Sequence, residues 1–386
     1  MINKFEIITG NNARLHLLRI QLRLFLDLIK KSGSPFVAYK RWKGIQAVKQ
    51  QFTIEKRFLK FTRFNGRIHF NCNIPGWPLN GFEDKLLEFI EPKNEWSALA
   101  IVQIGFTKKC PLNCEHCYEG KILNQPEKLS LEEHKSILAK LQKHHIPMIQ
   151  FGGGEPLNRF DDLISVLRSA TDKSDFWIYS SGYGLTFEKA KQLKEAGLIG
   201  ISISLDHYQK AKHNAFRRNE KSYDYAIAGI ANAQKAGLLT ALTVCVTREF
   251  CSEYHLHQYL EFAYVMKVPF VQLMEPRATG NYEGQDVLLD AEHFQILEDF
   301  YISRNSSRHF RHLPIVQYTG YQQRKKGCAG AGSRYIYIDT EGYVHSCPFC
   351  RNQKSHFLYG NTQSDLSLLR TEGCDYLPKP QKLNHV

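Results

Sequence analysis

The 386 residues predict an α/β protein built on a parallel sheet, and three observations lead there. Six apolar runs, at 98–106, 148–151, 176–180, 200–205, 241–246 and 270–274, have the length and composition of buried strands. Five stretches between them, at 131–144, 160–170, 186–195, 223–236 and 253–266, have helical periodicity. Three of these end in a basic or glycine stop. Buried strands that alternate with helices pair in parallel through right-handed crossovers. The count fits an open doubly wound sheet and a curved partial barrel alike. In both, function belongs at the carboxyl ends of the strands.

Ahead of the sheet, residues 11–31 predict a helix. At about 100° per residue, His16, Arg19, Arg23, Asp27 and Lys30 fall on one narrow polar stripe. Leu15, Leu18, Leu22, Phe25, Leu26 and Ile29 take the wide opposite face. The pattern suits a helix docked on the protein's own body, which is the expectation, and also a basic helix lying on a membrane. Asn65-Gly66 marks a short turn between strands at 58–63 and 67–72. Pro75-Gly76-Trp77-Pro78 is a loop, and a short helix follows at 82–90. Behind the sheet come a helix at 291–303, a basic loop, and a hairpin pairing 335–339 with 343–346 across Thr340-Glu341-Gly342.

Composition narrows the class. Hydrophobic residues make up 43% and charged residues 23%, as in ordinary globular chains, so wholesale disorder is excluded. No run approaches the roughly 18–20 uncharged apolar residues of a membrane span. Residues 1–10 lack the basic-then-apolar layout of a secretory signal, so a cytoplasmic protein is expected. The net charge of +13 favours anionic partners. With no RNA-binding motif, zinc-finger spacing or aromatic-interleaved basic stripe, no specific nucleic acid is expected.

Ten cysteines in a cytoplasmic chain point to metal or redox chemistry rather than disulfides. Three lie within eight residues (110, 114 and 117), and four in the last sixty (328, 347, 350 and 374). Cys72, Cys245 and Cys251 stand apart, and Cys245, inside the apolar run 242–246, is expected to pack as a small hydrophobe. The segment Cys110-Pro-Leu-Asn-Cys114-Glu-His-Cys117 directly follows the first strand. Three thiolates on one loop suit a cube-like iron–sulfur cluster and leave one iron without a protein donor, open to a small molecule. A zinc knuckle, which usually sets two CxxC or CxxH units close together, fits this spacing poorly.

This CxxxCxxC pattern, with His116 in the usual aromatic position before the last cysteine, resembles the radical S-adenosylmethionine (SAM) superfamily. The resemblance implies a [4Fe-4S] cluster on Cys110, Cys114 and Cys117, with SAM chelating its open iron. Reductive cleavage of SAM then gives a 5′-deoxyadenosyl radical that takes hydrogen from a substrate. Gly153, Gly154 and Glu155, in Phe151-Gly-Gly-Gly-Glu-Pro156, resemble the family's GGEP loop, which meets the SAM amino group. Ser181 stands where the family often has the asparagine of a Thr-Asn-Gly that meets the ribose. Ser204, in Ile201-Ser-Ile-Ser-Leu-Asp206, and Arg217 are implied at the SAM carboxylate, a bidentate role that a guanidinium suits. Glu275-Pro-Arg-Ala-Thr-Gly280 is similar to the family's closing strand.

Cys328, Gly342 and Cys347, with thirteen and then four residues between them, are similar to the opening of the family's SPASM and twitch extensions, which bind auxiliary clusters. With Cys350 and Cys374 they supply four thiols, enough for one auxiliary [4Fe-4S] cluster. A four-cysteine zinc site is the competitor. Tyr359-Gly360-Asn361 is similar to the SPASM "GN" segment.

The resemblance thus implies a partial (β/α)6 TIM-like barrel at 96–285, an N-terminal α+β extension at 1–95, and a small C-terminal Fe–S cluster domain at 286–386. It implies a reductant such as ferredoxin or flavodoxin. The expected substrate is a peptide or protein, with a lipid-linked or small molecule as the alternative. A non-catalytic electron carrier or nucleic-acid binder would leave the glycine loop and the serine–arginine pair unexplained. No catalytic side chain is identifiable from the sequence.

Overall fold

The computed structural model describes residues 5–52 and 60–379. The chain opens with β1 (Glu6–Thr9), α1 (Gly10–Ser32), α2 (Pro35–Phe52), β2 (Lys60–Phe64), β3 (Arg67–His69) and α3 (Phe82–Ile90). The central part runs β4 (Ile101–Thr107), α4 (Leu131–Lys143), β5 (Met148–Gly153), α5 (Phe160–Arg168), β6 (Asp175–Ser180) and α6 (Phe187–Glu195). It continues with β7 (Leu198–Ser204), α7 (Lys210–Arg217), α8 (Ser222–Lys235), β8 (Leu239–Cys245), α9 (Glu253–Val265) and β9 (Phe270–Met274). The last part holds α10 (Ala291–Ser306), β10 (Ile315–Gln317), α11 (Thr319–Lys326), β11 (Tyr335–Ile338), β12 (Val344–His345) and α12 (Thr362–Glu372).

Nine strands form one sheet in the order β10-β9-β8-β7-β6-β5-β4-β11-β12. From β4 to β9 each strand pairs in parallel with the next in sequence, which makes the expected six-stranded (β/α) unit. The sheet does not close: β10 and β12 are its two edges. Alternation along each strand separates its two faces. Ile104, Phe106, Ile149, Phe151, Ile201, Ile203, Leu242 and Val244 belong to the main core, together with Ile137 and Leu141 of α4, Leu163 and Leu167 of α5, and Ile230 of α8. Gln103, Gln150, Ser202, Gln272 and Gln317, all buried, and the half-buried Thr243 occupy the alternate positions as a polar face. Helix starts are fixed locally. The Ser130 hydroxyl accepts from the Glu133 amide, and the Glu133 carboxylate accepts from the Ser130 amide, so α4 begins there.

The N-terminal part folds against that polar face. β1, β2 and β3 form a small antiparallel sheet. The loop after it inserts Cys72, whose thiol donates to Gln317 Oε1 at 2.9 Å. The Gln150 amide donates to the Cys72 carbonyl at 3.2 Å and to Asn73 Oδ1 at 3.0 Å. Cys245 is buried, as a small apolar residue would be.

Several details differ from the sequence reading. The hairpin forms, but residues 58 and 59 lie outside the described residues and β3 stops at His69. The first core strand begins at Ile101, not 98, because the Asn94 side chain caps a single helical turn at Glu95–Ala98. The "basic loop" before the last hairpin contains β10 and α11. β10 pairs in parallel with β9, so its short apolar run is read only through that long-range partner. The C-terminal hairpin is also less separate than expected. β11 pairs in parallel with β4, Tyr335 opposite Ile101 and Ile338 opposite Ile104. Finally, α1 does not dock through the leucine face. Ala13, Leu24 and Leu28 are buried, while Leu15, Leu18, Leu22 and Leu26 are exposed, because the helix is apolar on both sides. Among the described residues no helix is long and apolar enough to cross a membrane.

Candidate active site

The carboxyl end of β4 leads straight into the cysteine loop. Two side-chain clamps hold its start: the Cys110 amide donates to Asn124 Oδ1 at 3.0 Å, and Asn124 Nδ2 donates to the Cys110 carbonyl at 3.1 Å. Asn124 has φ +60°, a left-handed conformation that asparagine tolerates better than most residues. The far side is held by Asn281, whose amide donates to the Cys117 carbonyl (3.0 Å) and whose Nδ2 donates to the Cys114 carbonyl (2.9 Å).

The glycine loop at the end of β5 is joined to the same segment by its backbone. The Gly154 amide donates to the Thr107 carbonyl at 2.7 Å, and the Glu155 amide to the Lys109 carbonyl at 2.8 Å. A Cβ at Gly154 would lie 2.4 Å from the Lys109 carbonyl oxygen, and one at Gly153 2.8 Å from the Thr107 carbonyl oxygen. Gly153 also has φ +100°. The sequence reading explained these glycines by close approach to a ligand. The structure adds another reason: the cysteine loop itself leaves no room for side chains.

One cleft is lined by Cys110, Cys114, His116, Cys117, Gly153, Gly154, Glu155, Ser181, Ser204 and Arg217, with Tyr118 and Tyr179. Every residue that the sequence assigned to the first cluster and to SAM therefore meets in one place. Their hydrogen bonds refine the assignments. Glu155 is buried and accepts from Ser180 Oγ (2.7 Å), the Ser181 amide (2.8 Å) and Ser181 Oγ (2.6 Å). Burial pushes its carboxyl up, opposed by those bonds. Arg217 is buried rather than on the surface; its Nε donates to Asp206 Oδ2 at 2.5 Å and its Nη1 to Cys114 Sγ at 3.4 Å. Asp206 Oδ1 accepts from the Cys245 amide at 2.9 Å, so both carboxylate oxygens are engaged. Burial pushes the Asp206 carboxyl up, but Arg217, His116 and His213 together outweigh it and hold it below the usual range. His116 stacks on Phe216, its Nδ1 buried without a partner, and burial lowers it to about 4, so it is neutral near pH 7.

Asp206 was missed as a functional position, although it ends the serine-containing strand motif. Its partner lies eleven residues on, at the far end of α7, and an i,i+4 rule does not reach it. Asn124 and Asn281 were missed because nothing in their own neighbourhoods marks them as clamps for distant carbonyls.

The thiols suit an iron–sulfur cluster. All ten cysteines are free, and Cys110, Cys114 and Cys117 face one cleft beside a fixed guanidinium that compensates thiolate charge. Burial pushes the Cys110 and Cys117 thiols up to about 12, and raises Cys114 against the pull of Arg217. Metal binding here must therefore displace protons. Among the described residues, no three His, Cys, Asp or Glu side chains close on a point the size of one metal ion. A cube accepts thiolates across a wider spread than a single ion does.

The C-terminal cysteines also come together. Cys350 Sγ lies 3.4 Å from Cys374 Sγ, the Cys350 amide donates to Cys347 Sγ at 3.2 Å, and the Gly330 amide donates to Cys328 Sγ at 3.3 Å. Backbone donors to sulfur stabilise thiolate ligands. Hydrogen bonds from Cys328 and Cys350 hold the Cys374 thiol well below its ordinary range. The two sets of cysteines are close neighbours in the fold. Tyr118, next to Cys117, meets Phe349 edge-on at 5.8 Å, and Arg351 pairs with the buried Glu119 at 2.5 Å.

Comparison with known proteins agrees with this geometry. The family model described as "Radical SAM superfamily" matches residues 104–251. The mycofactocin maturase MftC of Mycolicibacterium smegmatis is 30% identical over 268 residues, covering 67% of this chain and 66% of that protein. The chain thus spans just under two thirds of that relative. The AdoMet-dependent heme synthase of Nitratidesulfovibrio vulgaris is 26% identical over 63% of this chain and 72% of its own length. In fold, Streptococcus suis SuiB bound to precursor peptide SuiA is similar with a TM-score of 0.56 at 14% identity, over 92% of this chain and 81% of that one. A cysteine trio at the end of the first core strand, a glycine loop bonded to it and a matching sequence model lead to one conclusion: residues 104–251 form a radical SAM superfamily domain.

Proposed function

We propose that this chain is a radical SAM enzyme that cleaves S-adenosylmethionine reductively and abstracts hydrogen from a peptide or protein substrate. The observation that carries the reading is the single cleft in which Cys110, Cys114 and Cys117 face the glycine loop and the Asp206–Arg217 pair. When bound, a [4Fe-4S] cluster and SAM would supply an electron and a 5′-deoxyadenosyl radical.

The protein's own residues hold and orient. Cys110, Cys114 and Cys117 would ligate the cluster, and Arg217 would neutralise the Cys114 thiolate. This assigns Arg217 to a sulfur, with its Nε engaged by Asp206, rather than to the SAM carboxylate alone. Gly153 and Gly154 keep the wall of the cleft thin. Glu155 and Ser181 lock the ends of β5 and β6 together and offer oxygens to SAM, Ser204 adds a hydroxyl from β7, and His116 supplies a neutral ring. Cys328, Cys347, Cys350 and Cys374 would hold an auxiliary [4Fe-4S] cluster. The reading keeps three segments, 1–95, 96–285 and 286–386, and requires a one-electron donor of the ferredoxin or flavodoxin type. Ten free thiols favour a reducing, cytoplasmic compartment.

A peptide substrate is favoured by the maturase among the relatives and by the structural neighbour seen with its precursor peptide. The heme synthase favours a small-molecule substrate as the second reading. The test is anaerobic reconstitution followed by reduction in the presence of SAM. Release of 5′-deoxyadenosine is expected; its absence from protein carrying about four irons per bound cluster would overturn the proposal. Mass spectrometry of candidate peptides and porphyrins then separates the two substrate readings.

A further inference from the structure

We infer that the outward face of α1, with the start of α2, is a docking surface for an anionic lipid bilayer. Leu15, Leu18, Leu22 and Leu26 are 49–62% exposed. At about 100° per residue they form one stripe opposite the buried Ala13 and Leu24, so α1 uses one apolar side to hold the fold and leaves a second uncovered. Phe36, at the start of α2, is 79% exposed as well. Isolated exposed leucines are ordinary, but a continuous row on one helix marks an interaction surface.

Charge identifies the occupant. α1 carries Arg14, Arg19, Arg23, Lys30 and Lys31 against one acid, Asp27, and α2 carries no acid at all. Arg19, Arg23 and Lys30 flank one side of the stripe. Arg23 is partly engaged, with Asp27 at 3.9 Å and its guanidinium 5.4 Å from the Trp77 ring, whereas Arg19 and Lys30 point to solvent. An apolar row bordered by cations on a helix lying along the surface is the layout of interfacial helices on anionic lipid. A second copy of the chain would meet this face with the same positive charge, which disfavours self-pairing. The net charge of +13 acts in the same direction at longer range. This surface is separate from the cysteine cleft and does not depend on the proposed chemistry.

The test is density-gradient flotation of the full chain with phosphatidylcholine vesicles, with and without phosphatidylglycerol. Binding is expected with the anionic vesicles, with a preference that shrinks as salt is raised. Leu18→Glu with Leu22→Glu should lower partitioning at least tenfold. Because both side chains are exposed, the melting temperature should hold. Arg19→Glu with Lys30→Glu should lower partitioning by several-fold for each charge, about fivefold per cation by the usual scale. No flotation on anionic vesicles, or flotation indifferent to Leu18→Glu/Leu22→Glu, overturns the inference. So does a wild-type dimer in solution that the same leucine variant converts to monomer.

Discussion

The two groups of cysteines are built on opposite plans. Cys110, Cys114 and Cys117 sit on a loop pinned by backbone to β4, the glycine loop and Asn281, and their sulfurs face outward into a cleft. Cys328, Cys347, Cys350 and Cys374 lie on irregular segments around a short hairpin and turn toward one another, with Cys350 and Cys374 in direct contact. Rigid support with a ligand missing suits a site where something else must bind. Four donors facing inward suit a site that is complete once metallated. On the proposed reading, the difference would place chemistry at the first group and electron storage or structural support at the second.

The largest expected effect tests that division. Cys114→Ala should abolish 5′-deoxyadenosine release, by about 10³-fold or more, because the open cluster is lost. Cys347→Ala with Cys350→Ala should remove about four irons per chain but leave SAM cleavage measurable. Iron analysis beside product assay checks both, and equal loss of cleavage in the two variants would break the comparison.

Next comes the Asp206–Arg217 pair. Removing one partner of a buried ion pair leaves the other uncompensated, so Arg217→Leu should cost about 3–5 kcal/mol in urea unfolding of the cluster-free protein. Asp206→Asn should cost a comparable amount, since its one amide oxygen can accept from only one of Cys245 and Arg217, its NH2 faces the other donor, and Arg217 loses its counter-charge.

Glycine substitutions sharpen the contrast in support. Gly154→Ala places a Cβ 2.4 Å from a fixed carbonyl and should destabilise by about 1–3 kcal/mol. Gly330→Ala, 3.0 Å from the Ser346 carbonyl in the C-terminal group, should cost about 1 kcal/mol or less. A larger cost at Gly330 would mean that the second group is the more rigid of the two.

The smallest effect is a pH dependence of the cluster-free protein. Folding raises the Cys110 and Cys117 thiols from 9.0 to about 12. Their contribution to stability is therefore fully present below about 9 and is lost as pH rises through about 12. Cys110→Ser with Cys117→Ser should flatten that loss in chemical denaturation curves measured across this range. An unchanged slope would locate the dependence in other buried thiols.

Much of this was legible in the sequence. The alternation of strand and helix placed β4 to β9 within a few residues, and the cysteine motif, glycine loop, Ser204 and Arg217 all reached one cleft. Information of this kind is local: periodicity within a segment, or spacing within a loop. What escaped depends on distant partners. β10 is three residues long and exists through β9. Arg217 looked like a ligand for a carboxylate from outside, and its nearest carboxylate is the protein's own Asp206. The leucines of α1 satisfied the rule for a docking face, yet a helix apolar on both sides gives no sign of which side the protein uses.

The pairing of β11 with β4 has a consequence for biosynthesis. A ribosome delivers Ile101–Thr107 more than two hundred residues before Tyr335–Ile338. Until then the strand that leads to Cys110 is a bare sheet margin, able to recruit a strand from a neighbouring nascent chain. The carboxyl-terminal hairpin is thus expected to shield the strand that carries the Cys110 loop. Chains stopped short of it should collect in inclusion bodies before any iron reaches them.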